Sequence, residues 1–270
     1  MDDPLAISPA AKAVAVGVWF AALLLAERLW PAATPPQAAH FPGGPGWRRL
    51  ARNGGLWLIN VGLSLAIVLP LTQFAAGLWP QLGSWRPAWW SGLPGLALDL
   101  LLLDFLIYWW HRANHVVPLL WRFHEVHHRD EFLDASSAVR FHFGEVGLSA
   151  LARAAIMIPL GLSLPAILAF ETLVLISAIF HHSNLRLPPA LERALSWIVV
   201  TPSIHWVHHH AVRADTDSNY ATVLSLWDRL FASRSRHVRT PDMKIGVEGL
   251  AEENFGRLVA LPFVGRRRRQ

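Results

Sequence analysis

Histidines dominate the chemistry available to this chain. There are 14, and most fall into compact boxes: HRANH with His111 and His115, HEVHH with His124, His127 and His128, and HWVHHH with His205, His208, His209 and His210. A further pair, His181 and His182, lies in FHHSN. The chain has no cysteine, which excludes disulfides, thiolate zinc sites, iron–sulfur clusters and thiol nucleophiles. Any metal must be held by His, Asp or Glu.

Helical phase sorts the boxes. At about 100° per residue, His111 and His115 share a face, and His124, His127 and His128 fall within one arc. His205, His208 and His209 do the same, while His210 points away. Asp104 lies on the stripe of His111 and His115, and Glu171 shares a face with His182 rather than His181. Both carboxylates sit in apolar runs, where ionisable groups are costly and usually functional. They are expected to orient histidines by accepting a ring proton, or to bind metal. His40 and His237 read as ordinary surface residues.

Eight clustered histidines plus His182 exceed the four to six ligands one ion takes, so two ions sharing about nine ligands is the natural count. Imidazole alone does not choose the metal. Attack on an unactivated C–H bond in reach of a lipid chain calls for an oxidant made from O2, for which iron is the usual carrier. Zinc remains a candidate for a purified form.

The elements that must position these residues are helices in a membrane. Hydrophobic residues make up 53% of the chain and charged ones 16%, against about 25% in soluble domains, and mean hydropathy is +0.31. A first span is expected within Ala6 to Trp30, and a second in the uncharged stretch from Asn53 to Trp85. A third runs from Leu93 to Trp110. The region from Val146 to Phe180 is interrupted by PLGLSLP, leaving two pieces of roughly 15 residues that read as a short helical hairpin. The tryptophans, Trp206 among them, are read as an interfacial belt.

The arginines Arg48, Arg49, Arg52, Arg112, Arg122, Arg129 and Arg140 follow the first and third spans, and only Arg86 lies between the second and third. The positive-inside rule therefore puts the histidine boxes in the cytoplasm. The closing run Arg266–Arg269 reads as a solvated tail able to touch anionic lipid. Nucleic-acid binding is not expected. The fold expected is an all-α integral membrane protein with about three full transmembrane helices, a short helical hairpin and a cytoplasmic histidine-rich helical cap. Its regions are 1–92 with the N-terminal transmembrane helices, 93–240 with the histidine boxes, and a basic C-terminal tail, 241–270.

DFLIYWWHRANH, WRFHEVHH, FHHSN, and TPSIHWVHHH followed by SNYATVLSLWDRLFAS resemble the fatty acid hydroxylase superfamily over about Leu98 to Ser233. The resemblance implies an all-helical membrane enzyme with a non-haem di-iron centre. O2 is the co-substrate, and electrons come from an external ferredoxin-like or cytochrome-like donor with its reductase. The product is a hydroxylated or desaturated lipid, fatty acyl, sterol-like or ether. By motif position the ligands are His111, His115, His124, His127, His128, His182, His205, His208 and His209, and His142 in RFH matches a further family histidine. Two departures stand out. The family's NYG is NYA at Asn219 to Ala221, and its FGT is FAS at Phe231 to Ser233. Tyr220, between them, is expected to pack beside the site. A carotenoid hydroxylase or ketolase is the nearest alternative, and a membrane metal-binding or transport protein the rival outside the enzymes.

Overall fold

The computed structural model describes residues 9–35, 46–82 and 85–264. His40 and Arg266–Arg269 lie outside the described residues. All regular structure among the described residues is helical, with only isolated β-bridges between loops.

Among the described residues, four helical stretches are long and apolar enough to cross a membrane: Gly46–Leu78, Gly92–Val116, Phe143–Leu160 and Leu164–His182. The first joins α2 (Gly46–Leu63) to α3 (Leu69–Leu82) through a π-helical turn at Ser64–Val68. The others are α4 (Gly92–Val116), α6 (Phe143–Leu160) and α7 (Leu164–His182), and α1 (Pro9–Leu29) packs along α7. The hairpin is therefore longer than its prolines imply. α6 runs through Pro159 to a left-handed Gly161, φ 61°, and Pro165 sits in the first turn of α7, where its missing N–H costs nothing. Only Gly161 to Ser163 separates the two helices. An apolar cluster of Ala75, Leu103, Ala154, Met157, Ile167 and Phe170 closes α3, α4, α6 and α7 against one another.

The chain directions bring the C-terminal ends of α4 and α7 and the N-terminal ends of α2 and α6 to one end of the bundle. The cap builds there. Val117, extended because Pro118 follows it, ends α4, and Pro118 opens α5 (Pro118–His128) at once. This corner turns HEVHH back over HRANH. A short 3-10 turn, Ala135–Val139, leads to α6. After α7 come α8 (Pro189–Leu195), α9 (Pro202–His208), α10 (Arg213–Thr216), α11 (Leu226–Leu230) and α12 (Phe255–Ala260).

Several arginines that the sequence presents as surface charge are buried. Arg49 reaches Asp130 and Asp134, each at 2.6 Å, and donates to the Phe132 carbonyl at 2.7 Å. Arg140 spans the Val126 carbonyl, Asn53 and Glu252. Burial alone would raise the Asp130 carboxyl, but the guanidiniums of Arg49 and Arg140 outweigh it and hold it at about 2. Arg129 is likewise buried, on Glu125. This network fastens α2 to the loop that follows the second box. Trp206 also departs from the expected belt: it is buried between Phe132 and the guanidinium of Arg239, 3.7 Å from its ring.

Candidate metal centre

Among the described residues, two groups of buried histidines converge at this end of the bundle. His111 and His115 of α4, His124 and His128 of α5 and His208 of α9 form one. His127 of α5, His182 of α7, and His205 and His209 at α9 form the other, and within each group the candidate donor atoms lie within 4.8 Å of one another. These are the nine residues expected from helical phase and motif position. α5 contributes to both groups because His127 points to the opposite side of its arc from His124 and His128.

Hydrogen bonds fix the rings. The Nδ1 atoms of His111, His127, His182 and His208 donate to the carbonyls of Tyr220, Arg140, Ala178 and Ser218, at 2.7, 3.1, 2.8 and 2.6 Å. His124 Nδ1 donates to Glu145 Oε1 at 2.8 Å. A carbonyl only accepts, so Nδ1 carries the proton in those rings, and a neutral ring then presents a bare lone pair at Nε2. Outside the membrane spans, burial reinforced by neighbouring histidines holds His127, His128, His205, His208 and His209 well below the ordinary histidine value. These rings are neutral at pH 7.

The Nε2 atoms of the four-histidine group crowd together. Nε2 of His182 lies 3.1 Å from Nε2 of His127 and 3.0 Å from that of His205, which is 3.1 Å from that of His209. In the other group the Nε2 atoms of His115, His124, His128 and His208 are buried with no hydrogen-bond partner. Each such orphaned atom costs about 1–3 kcal/mol unless something accepts its lone pair. A cation does so, and the donor set fits two metal ions.

The remaining expected site residues lie elsewhere. Asp104 accepts from the backbone N–H groups of Val223 and Leu224 and from Trp227 Nε1, at 3.3, 3.1 and 2.8 Å, so it anchors the loop after the last box rather than orienting a histidine. Glu171 pairs with Lys12 and Arg153 at 3.0 and 3.1 Å. It shares a face with His182 but lies three turns, about 16 Å, along the helix. His142 caps α6: its Nδ1 accepts from the Gly144 N–H and its Nε2 donates to the Val259 carbonyl. His210 turns out to Asp215, at 2.7 Å, and His237 binds the same carboxylate.

Glu145 and the carbonyls of Arg140, Ala178, Ser218 and Tyr220 were not legible as ring partners. Glu145 follows RFH by three positions, but no periodicity ties it to His124, which another helix carries. His181 is buried too, its ring 4.0 Å from that of His205, although it belongs to neither group. Tyr220 borders the five-histidine group, 5.2 Å from the His115 ring.

Over 204 residues the chain is 27% identical to the ornithine lipid hydroxylase OlsE of Rhizobium tropici, covering 76% of this chain and 59% of that protein. It is 34% identical over 150 residues to the alkylglycerol monooxygenase of Xenopus tropicalis, covering 54% of this chain and 30% of that one. The fatty acid hydroxylase vlmA of Lecanicillium sp is 29% identical over 174 residues, 58% of this chain and 46% of that protein. The chain thus spans less than two thirds of the length of each. No solved structure matches it. The model of the family described as Fatty acid hydroxylase matches residues 96–233, a stretch that holds all nine grouped histidines, and the chain belongs to that family.

Proposed function

We propose that the protein is a membrane-bound non-haem di-iron oxidase that uses O2 and externally supplied electrons to hydroxylate or desaturate a lipid. The observation that carries this reading is the set of nine converging buried imidazoles at the end of a bundle of membrane-length helices. His111, His115, His124, His128 and His208 would hold one iron, and His127, His182, His205 and His209 the other. Iron bound there supplies the oxidation of an unactivated C–H bond by O2.

The chain's own contribution is preorganisation. Backbone carbonyls and Glu145 lock five rings with Nε2 aimed inward, an arrangement that raises ligand basicity and fixes the tautomer. Burial of the rings keeps bulk water out. Tyr108 and Tyr220, both buried, pack against each other behind the α4 histidines and help hold that side of the site rigid. Electrons would come from a ferredoxin-like or cytochrome-like donor outside this stretch, which has neither cysteines for a cluster nor a dinucleotide fingerprint. The histidine end faces the cytoplasm, as the arginines of the short connections imply.

Fatty acyl, ornithine and ether lipids are the substrate classes to try, the last two from the names of the relatives. Mass spectrometry of lipid extracts from cells with and without the gene tests the reading. A gain of one oxygen or a loss of two hydrogens in one lipid class, dependent on O2 and abolished by His208→Ala, is expected. An unchanged lipid profile would favour a metal-binding protein without catalysis.

A further inference from the structure

The cap carries an apolar patch outside the set of metal-binding rings. Trp197 and Ile198, in the turn after α8, are 66% and 61% exposed, and Leu230 of α11 is 61% exposed. Such side chains forgo about 1.5–3 kcal/mol each when left in water rather than buried, and an exposed cluster of them marks an interaction surface.

α4 serves as a ruler for the depth of this patch. Asp104 receives the N–H groups of Val223 and Leu224, Leu224 bridges to Val199, and the Ser225 N–H donates to the Ile198 carbonyl at 3.1 Å. Ile198 is thus tied to the level of Asp104. The tandem Trp109–Trp110 marks the interfacial level near the histidine end of α4. Asp104 lies five residues earlier, about 8 Å deeper at 1.5 Å per residue. The Trp197–Ile198 turn therefore reaches below the membrane surface.

The patch is also continuous with the lipid-facing side of α4. Phe231, next to Leu230, packs on Phe105 and Trp109 with ring centroids 6.0 and 5.0 Å apart. Trp109 and Leu101 are themselves exposed on that span. Cations rim the patch on the cap side. The Arg229 guanidinium lies 4.9 Å over the Trp197 ring, and Arg229 and Arg234 both donate to the Ser196 carbonyl. Long basic side chains around an apolar tip are what a lipid headgroup layer favours.

We propose that the Trp197–Ile198 turn and Leu230 form a membrane-inserted shoulder of the cap, with Arg229 and Arg234 at the headgroups and the bilayer itself as the partner. The cap then does not stand clear of the membrane. Val200, Tyr220 and Trp227 belong to the hydrophobic cluster behind the shoulder, and Tyr220 adjoins His115, so the inserted segment and the five-histidine group share one support.

The absence of cysteine makes the test clean. Single-cysteine variants Ile198→Cys and Leu230→Cys of the full chain carry a nitroxide in phosphatidylglycerol–phosphatidylcholine nanodiscs. Collision with O2, which concentrates in hydrocarbon, is compared with collision with water-soluble nickel chelate. Leu101→Cys is the lipid-facing reference and Val238→Cys, in the exposed loop after the last box, the aqueous one. An oxygen-to-nickel ratio at both test sites closer to that at position 101 is expected. A ratio closer to that at position 238 at either site would overturn the proposal.

Discussion

His127 and His182 face each other Nε2 to Nε2 at 3.1 Å, while each gives its Nδ1 proton to a backbone carbonyl of its own neighbourhood. Neither Nε2 has a proton to offer the other, so the contact is one of lone pair against lone pair. Two backbone segments, the loop before α6 and the last turn of α7, hold the rings in that opposition. Such an arrangement is stable only around a shared cation, and it is built by parts of the chain 55 residues apart.

The last box contains a discriminating pair. His208 is buried with an orphaned Nε2, whereas His210 is turned out to Asp215, which also holds His237 and Ser235. His208→Ala should lower lipid-oxidising activity by at least a hundredfold and reduce bound metal, in line with loss of a metal ligand. His210→Ala should retain activity within about threefold, because Asp215 keeps its other partners and a surface substitution costs about 0.5 kcal/mol or less. Activity and metal content measured on both variants check this, and equal losses would refute the phase assignment.

Asp104→Asn should separate anchoring from ligation. The carboxylate accepts three N–H groups, and an amide would set its own NH2 against one or more of them, at a cost of about 1–3 kcal/mol. A fall in the thermal unfolding midpoint in detergent is expected, with metal per folded chain unchanged. Loss of metal at full stability would instead make Asp104 a ligand.

Much of the site was legible because helical phase is local. Residues three and four apart share a face whatever the fold, so HRANH, HEVHH and HWVHHH each disclosed their inward members. Phase carries no information about level: Glu171 and His182 share a face yet lie three turns apart. The split into five and four was also hidden, because it depends on how α5 lies between α4 and α9. The buried arginines were misread for a related reason. Arg49 looks like an interfacial charge until the fold delivers Asp130 and Asp134 to it, across more than 80 residues.

That network predicts its own mutant. Arg49→Met leaves two buried carboxylates without their cation and should destabilise the protein by about 3–5 kcal/mol. The sign with pH follows from Asp130, held at about 2 in the folded chain. Its contribution is complete above the unfolded carboxylate value, about 3.9, and is lost as pH falls from there through 2. In the variant, burial without Arg49 raises the Asp130 carboxyl above its unfolded value, so protonation restores part of its stability while the parent's stays level. The stability difference between Arg49→Met and the parent should therefore shrink as pH falls from 7 to 5, by chemical unfolding at each. A difference that grows over that range would contradict it.

Ala232 occupies a position where the family pattern has glycine, and it adopts φ 53°. A left-handed backbone costs a residue with a Cβ about 1–2 kcal/mol, which glycine avoids. Ala232→Gly should accordingly raise the thermal midpoint, by an amount corresponding to about 1 kcal/mol, and leave activity unchanged. An unchanged or lowered midpoint would mean that the turn is not strained. Ala221, the other departure, has no positive φ, and its N–H donates to Asp228. No gain is expected from glycine there.

The central claim is that nine histidines hold two metal ions, five around one and four around the other. Elemental analysis of protein purified from iron-replete cells and reconstituted anaerobically with ferrous iron measures it most directly. About two metals per folded chain are predicted, falling to about one in His182→Ala/His205→Ala, which removes half of the four-histidine group. One metal or fewer in the parent chain at saturation, or two retained by the double variant, would contradict the account.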